Sequence, residues 1–239
     1  NLTITGNATF ESTEKSVEVG NNLTIDGNAN FANTVTTGNN LTIDGDEIII
    51  NGAVIAGKSD PFTEGSILLT GITKITANSL SATKDITLNA NVIETAALNA
   101  AKDITIEGTT INNAALIATE NVFINKDSEV LEQTLNITGD VSSNNFEVVA
   151  KTQTFGGTIS VTNDFISKGK NITFSDKVSV NQNVEIQNTG LLKISNFEYG
   201  KSFVQSGSDT EIGQVMIFGD FIQTGESENP TATFASNVY

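Results

Sequence analysis

Cysteine, histidine, tryptophan and arginine are all missing from these 239 residues, and the gaps close off much familiar chemistry. Without histidine there is no Ser-His-Asp triad, and without cysteine no thiolate nucleophile and no zinc site of the usual His/Cys kind. Without arginine there is no bidentate clamp for phosphate. All 12 basic residues are lysine, against 28 acidic ones, for a formal net charge of −16. Such a surface repels a phosphate backbone, so no nucleic-acid partner is expected. No apolar run approaches the ~20 residues of a spanning helix, and no direct membrane insertion is expected. Proline is scarce as well, at two residues, so little interrupts backbone hydrogen bonding.

What is present is repetition. Asn1-Leu-Thr-Ile-Thr-Gly-Asn7, Asn22-Leu-Thr-Ile-Asp-Gly-Asn28 and Asn40-Leu-Thr-Ile-Asp-Gly-Asp46 are nearly one string. Weaker copies follow at Asp85-Ile-Thr-Leu-Asn-Ala90, Asp103-Ile-Thr-Ile-Glu-Gly108, Asn121-Val-Phe-Ile-Asn125 and Asn171-Ile-Thr-Phe-Ser175. Leu23 to Leu41, Ile86 to Ile104 and Ile104 to Val122 are each 18 residues apart. A fixed period of this length marks a stacked array. Within a period apolar residues alternate, Leu23 and Ile25 on one side, Thr24 and Asp26 on the other, which is strand periodicity. Each period divides into three segments ended by Gly or Asn, residues suited to tight bends.

These features predict an all-β parallel β-helix, or β-solenoid, with three short strands per coil and roughly 18–20 residues per coil, or roughly a dozen coils. Leu2, Leu23 and Leu41 are expected to stack as one interior ladder and Ile4, Ile25 and Ile43 as another. A coil buries little until a neighbour covers it, so stability is shared between adjacent coils and both ends need protection. An antiparallel sandwich also has short strands between Gly and Asn, but near-identical strings at a repeated interval are not expected of one.

Residues 1–225 read as the solenoid. Lys58-Ser-Asp-Pro-Phe-Thr-Glu-Gly65 reads as a loop inserted at a corner, and the coils after about residue 131 repeat less regularly. Residues 226–239 form a C-terminal tail that begins like a linker and ends in alternating Phe234, Val238 and Tyr239. That tail is a candidate inter-subunit strand, added to a neighbour's exposed sheet edge; the plainer reading is a frayed end or a strand folded back on its own last coil. The opening at Asn rather than Met suggests a processed or excised segment.

Other candidates weigh less. Asp26, Asp44 and Asp46 are weak metal candidates, since stacked carboxylates offer the oxygen ligands Ca²⁺ takes, although solvated surface acids are the simpler account and no cofactor is expected. Asn-x-Thr sequons at Asn1, Asn7, Asn22, Asn40, Asn136 and Asn171 are acceptors for sugar in a glycosylating producer. Asn also suits a corner, where it bonds to its copy one coil away. A column of Thr3, Thr24, Thr42, Thr87 and Thr105 raises ice binding, but the second outward place is Asp26, Asp44, Asn89 or Glu107 in the later copies.

Lys84-Asp-Ile-Thr-Leu-Asn-Ala-Asn-Val-Ile-Glu-Thr-Ala-Ala-Leu-Asn-Ala-Ala101 and Lys102-Asp-Ile-Thr-Ile-Glu-Gly-Thr-Thr-Ile-Asn-Asn-Ala-Ala-Leu-Ile-Ala118 resemble the repeats of filamentous haemagglutinin-type and autotransporter-passenger β-helices of bacterial surfaces. The resemblance covers about half the chain as a pattern of residue classes. It implies a secreted or cell-surface protein of adhesion or filament structure, and brings no catalytic residues with it.

The function expected is therefore non-catalytic: a β-solenoid subunit of an extracellular filament or adhesin, acting by head-to-tail self-association through Leu2, Ile4, Phe234, Val238 and Tyr239. The partner is the chain itself, with glycans or a cell surface in second place. One alternative is a monomeric adhesin rod that binds a host or polysaccharide ligand. Another is a polysaccharide-active β-helix enzyme using paired carboxylates; against it stands the lack of Arg and His to hold an anionic sugar.

Overall fold

The computed structural model describes residues 1–59, 62–128, 132–207, 210–217, 220–224 and 232–234, the last three stretches as backbone alone apart from the exposed Ile222. The chain is an all-β parallel β-solenoid of about ten turns, with no helix among the described residues. It divides into two compact units, Asn1–Glu120 and Asn121–Tyr239.

In the first unit the opening coil consists of Leu2–Thr5, Ala8–Phe10 and Val17–Val19. These pair in parallel with Leu23–Asp26, Ala29–Phe31 and Val35–Thr37 of the next coil. The expected ladders form: Leu2, Leu23 and Leu41 are in register, as are Ile4, Ile25 and Ile43. The ladders continue through Ile67, Ile86 and Ile104 and through Leu69, Leu88 and Ile106. Leu23, Leu41, Ile86 and Ile104 are fully buried. Three short strands per coil hold at the start, but later bends are smooth enough for strands to merge, and Ile67–Ala82 runs as one strand round all three faces.

The segment read as a corner loop contains an antiparallel pairing of Lys58–Ser59 with Phe62–Thr63. It lengthens the step between coils there from 18 residues, at Asn22 to Asn40, to 26, at Asn40 to Ser66. Thr83 ties the insertion down: its Oγ1 accepts from the Gly65 N–H at 2.9 Å and donates to the Thr63 carbonyl at 2.8 Å.

In the second unit steps of 18, 19 and 20 residues occur beside longer ones of 24, at Asn121 to Asn145, and 22, at Thr210 to Ala232. Its weaker sequence repetition comes from these uneven steps and from what fills the interior. Gln153 stands in register between Leu135 and Ile172, and Ser167 between Val148 and Ile186. Bulk is restored by aromatic ladders. Phe146 stacks on Phe165 at 5.2 Å and Phe155 on Phe174 at 5.0 Å, with edge contacts between the two stacks at 5.8 and 5.7 Å.

Candidate functional site

The opening coil of the first unit has a partner on one side only among the described strands. Its residues are nevertheless those of an interior coil: Leu2, Ile4, Ala8 and Phe10 match Leu23, Ile25, Ala29 and Phe31 position by position. Leu2 is 39% exposed where Leu23 is 0% exposed, and Ile4 is half-buried where Ile25 is buried. Phe10 stacks on Phe31 at 4.7 Å with the rings 5° from parallel and is itself only half-buried. On the side without a described partner the coil thus presents part-exposed apolar side chains.

A second system binds coil to coil at the corners. The Asn1 side-chain oxygen accepts the Asn22 backbone N–H at 3.2 Å, Asn22 accepts that of Asn40 at 3.1 Å, and Asn40 that of Ser66 at 2.9 Å. A neighbouring column runs from Asn7, which accepts the Asn28 N–H at 3.1 Å, to Asn28, which accepts those of Asp46 and Glu47 at 2.7 and 3.1 Å. In the second unit Asn145 accepts from Asp164, Asp164 from Asn183 and Asn171 from Leu191. Five of the six sequon asparagines therefore serve as acceptors for the next coil's backbone. Asn136 is the exception, half-buried in mid-strand and in register with Thr154. Asp140 works the same way on Thr158, accepting from both its N–H and its hydroxyl at 2.8 Å. Those bonds favour the ionised form and hold the Asp140 carboxyl below its usual value.

Asp26 and Asp44 do stand in register and exposed, but Thr70 follows Asp44 in the column. Asp46 is engaged elsewhere, accepting from the Thr73 hydroxyl. No group of three or more Asp and Glu placed to hold a metal occurs among the described residues. The three candidate acids are not brought together into a Ca²⁺ cage of the six to eight oxygens that ion takes. The threonine column is interrupted in the same way: Leu68, 40% exposed, sits in register between Thr42 and Thr87. Beside it lies an open cleft of about 370 Å³ lined by Asn40, Thr42, Glu64, Ser66, Leu68 and Lys84. Glu64 lies 3.8 Å from Lys84 and 3.7 Å from Lys102, all at least 40% exposed, so these pairs are weak.

In the tail, Ala232–Phe234 adds in parallel to Thr210–Ile217 of its own chain, with Phe234 opposite Ile212. Val238 and Tyr239 lie outside the described residues. Leu2 and Ile4 belong to the first unit and Phe234 to the second.

One set of residues escaped the sequence reading. Gln153 donates to the carbonyls of Ala150 and Lys168 at 3.2 and 2.8 Å and accepts from the Ser167 hydroxyl at 2.7 Å. Gln205 donates to Asn188 at 2.6 Å. All four side chains are buried, and only their placement at interior register positions reveals it.

No family model matches the chain, and neither the curated proteins nor the solved structures give a match.

Proposed function

We propose that this protein is a non-catalytic structural component of a secreted or cell-surface filament or adhesin, and that it acts by head-to-tail pairing of its terminal coils. The observation that carries the reading is the stacking itself: Leu2, Leu23 and Leu41 meet in parallel register coil after coil, and a coil of a second copy extends such an array at its end by the same pairing. A parallel coil seated there makes a heterologous contact, and such a contact propagates into an open filament. The likeness of residues 84–118 to filamentous haemagglutinin-type and autotransporter-passenger repeats supports a place at the bacterial surface. A side-binding adhesin is favoured by one feature only, the cleft around Leu68, whose apolar ledge is flanked by Asn40, Glu64 and Lys84.

Electron microscopy and sedimentation of the purified chain beside a Leu2→Asp variant test the proposal. Filaments with a regular axial repeat from the parent, and their loss in the variant, are the expected result. Separate particles from both at high concentration would sink self-association, and attention would pass to polysaccharide binding at the Leu68 cleft.

A further inference from the structure

We infer that the cleft beside Leu68, continued by Ile72 on the same strand, is a binding track for an uncharged oligosaccharide laid along the start of Ile67–Ala82. The inference rests on the side-binding reading given above and names its site and ligand class. It does not depend on whether copies associate end to end.

Three irregularities of the first unit fall on one coil, in the middle of the stack. The step from Asn40 to Ser66 is 26 residues where the step before it is 18. The register then slips between Gly71 and Lys74 of the same strand, and Ile72 at that corner is 71% exposed. Leu68 stands, exposed, where the coils on either side carry Thr42 and Thr87. Exposed apolar side chains scattered singly need no explanation, but here two lie four residues apart on one strand and beside a cleft. They are at most about 13 Å apart at the ~3.3 Å rise of a strand, a span that suits a short oligosaccharide. Between them Thr70 faces outward, with the exposed Asp44 and Asn89 in register on its two sides.

The wall of the cleft is fixed in advance. Glu64 lies between Thr63 and Gly65, and Thr83 Oγ1 holds both neighbours, donating to the Thr63 carbonyl at 2.8 Å and accepting the Gly65 N–H at 2.9 Å. The Glu64 carboxylate is set 3.8 Å from Lys84 and 3.7 Å from Lys102. A wall already pinned loses little freedom when a ligand arrives.

The lining selects the ligand. About 370 Å³ falls at the lower end of the ~300–1,000 Å³ of small-ligand sites. The Leu68 ledge is edged by the Asn40 amide, the Thr42 and Ser66 hydroxyls, the Glu64 carboxylate and the Lys84 ammonium. A sugar ring matches such a mixture, with an apolar C–H face and a rim of hydroxyls that both donate and accept. A wholly apolar ligand would strip water from Glu64 and Lys84 without replacing its hydrogen bonds. A uronate or sulfated chain would meet Glu64 and Asp44 on a protein of net charge −16 and be repelled. An uncharged hexose chain meets neither obstacle.

Isothermal titration calorimetry of the full chain tests this with maltohexaose, cellohexaose and mannohexaose as uncharged probes and polygalacturonate as the anionic one. The variants are Leu68→Thr, which restores the residue of the adjoining coils, Glu64→Ala, and Ile117→Thr, which removes an exposed apolar side chain elsewhere. All three positions are exposed, so each variant is expected to melt with the parent. The parent is expected to bind at least one uncharged probe, Leu68→Thr and Glu64→Ala at least tenfold more weakly, and Ile117→Thr as well as the parent. If an uncharged probe binds the parent and all variants alike, the Leu68 track is overturned while side binding of glycans stands. Preference for polygalacturonate overturns the uncharged ligand class. If no probe binds the parent, the track and the side-binding reading both fall.

Discussion

Single asparagines carry much of the cohesion between coils. A corner breaks the sheet's own ladder, and a backbone N–H left without an acceptor costs about 1–3 kcal/mol when buried and less when water reaches it. Asn28 is the most heavily used, accepting two N–H groups of the following coil with one side-chain oxygen. Replacing Asn28 by Ala is expected to lower stability by about 1 kcal/mol, whereas Asn28→Asp, which keeps the acceptor, stays close to the parent. Urea-denaturation midpoints check this, and equal midpoints for the parent and Asn28→Ala would show that water serves the corner as well as asparagine does.

Among the strands, aromatic stacks contribute far more than ion pairs. Lys74–Glu94 at 2.7 Å and Lys151–Glu132 at 2.7 Å are both well solvated, and exposed pairs of this kind contribute about 0.2–1 kcal/mol. Phe155, by contrast, is 1% exposed and contacts Phe146 at its edge and Phe174 face to face. Phe155→Ala is expected to cost about 3–5 kcal/mol, because the coils above and below fix the cavity walls and relax little. Phe155→Leu, which refills most of the volume, loses much less. Thermal melts of the two variants give the comparison, and equal losses would mean that ring stacking rather than volume sets the stability of the second unit.

For the whole molecule the governing quantity is a net charge of −16 on a chain whose proposed contacts lie at its ends. Like-charged copies repel over the Debye length, about 10 Å at 0.1 M salt and about 3 Å at 1 M. The proposed head-to-tail contact is apolar and hydrogen-bonded, so screening would remove the repulsion and leave the attraction. Raising NaCl from about 0.05 M to about 0.5 M is therefore expected to shift sedimentation toward larger species. Dissociation with salt would instead mean that ion pairs hold the copies together. Stability within the array follows the nearest-neighbour logic of repeats, so damage at one coil is felt mainly by the coils it touches.

The sequence by itself determined the parallel solenoid, because alternation of period two repeated every 18 residues leaves the apolar side chains of Leu23 and Leu41 no common interior except a stacked one. It also pointed to asparagine at the corners, since the three strongest copies of the cassette begin with Asn1, Asn22 and Asn40. Tertiary structure alone decided what fills the second unit. Gln153, Ser167 and Gln205 carry no apolar signal in a string, and register with buried neighbours shows them turned inward, where the two glutamine amides donate to the Lys168 carbonyl and to Asn188. The fate of the acids was likewise decided in three dimensions. Asp26, Asp44 and Asp46 are close in the repeat, yet Thr73 engages Asp46 and Thr70 ends the carboxylate column.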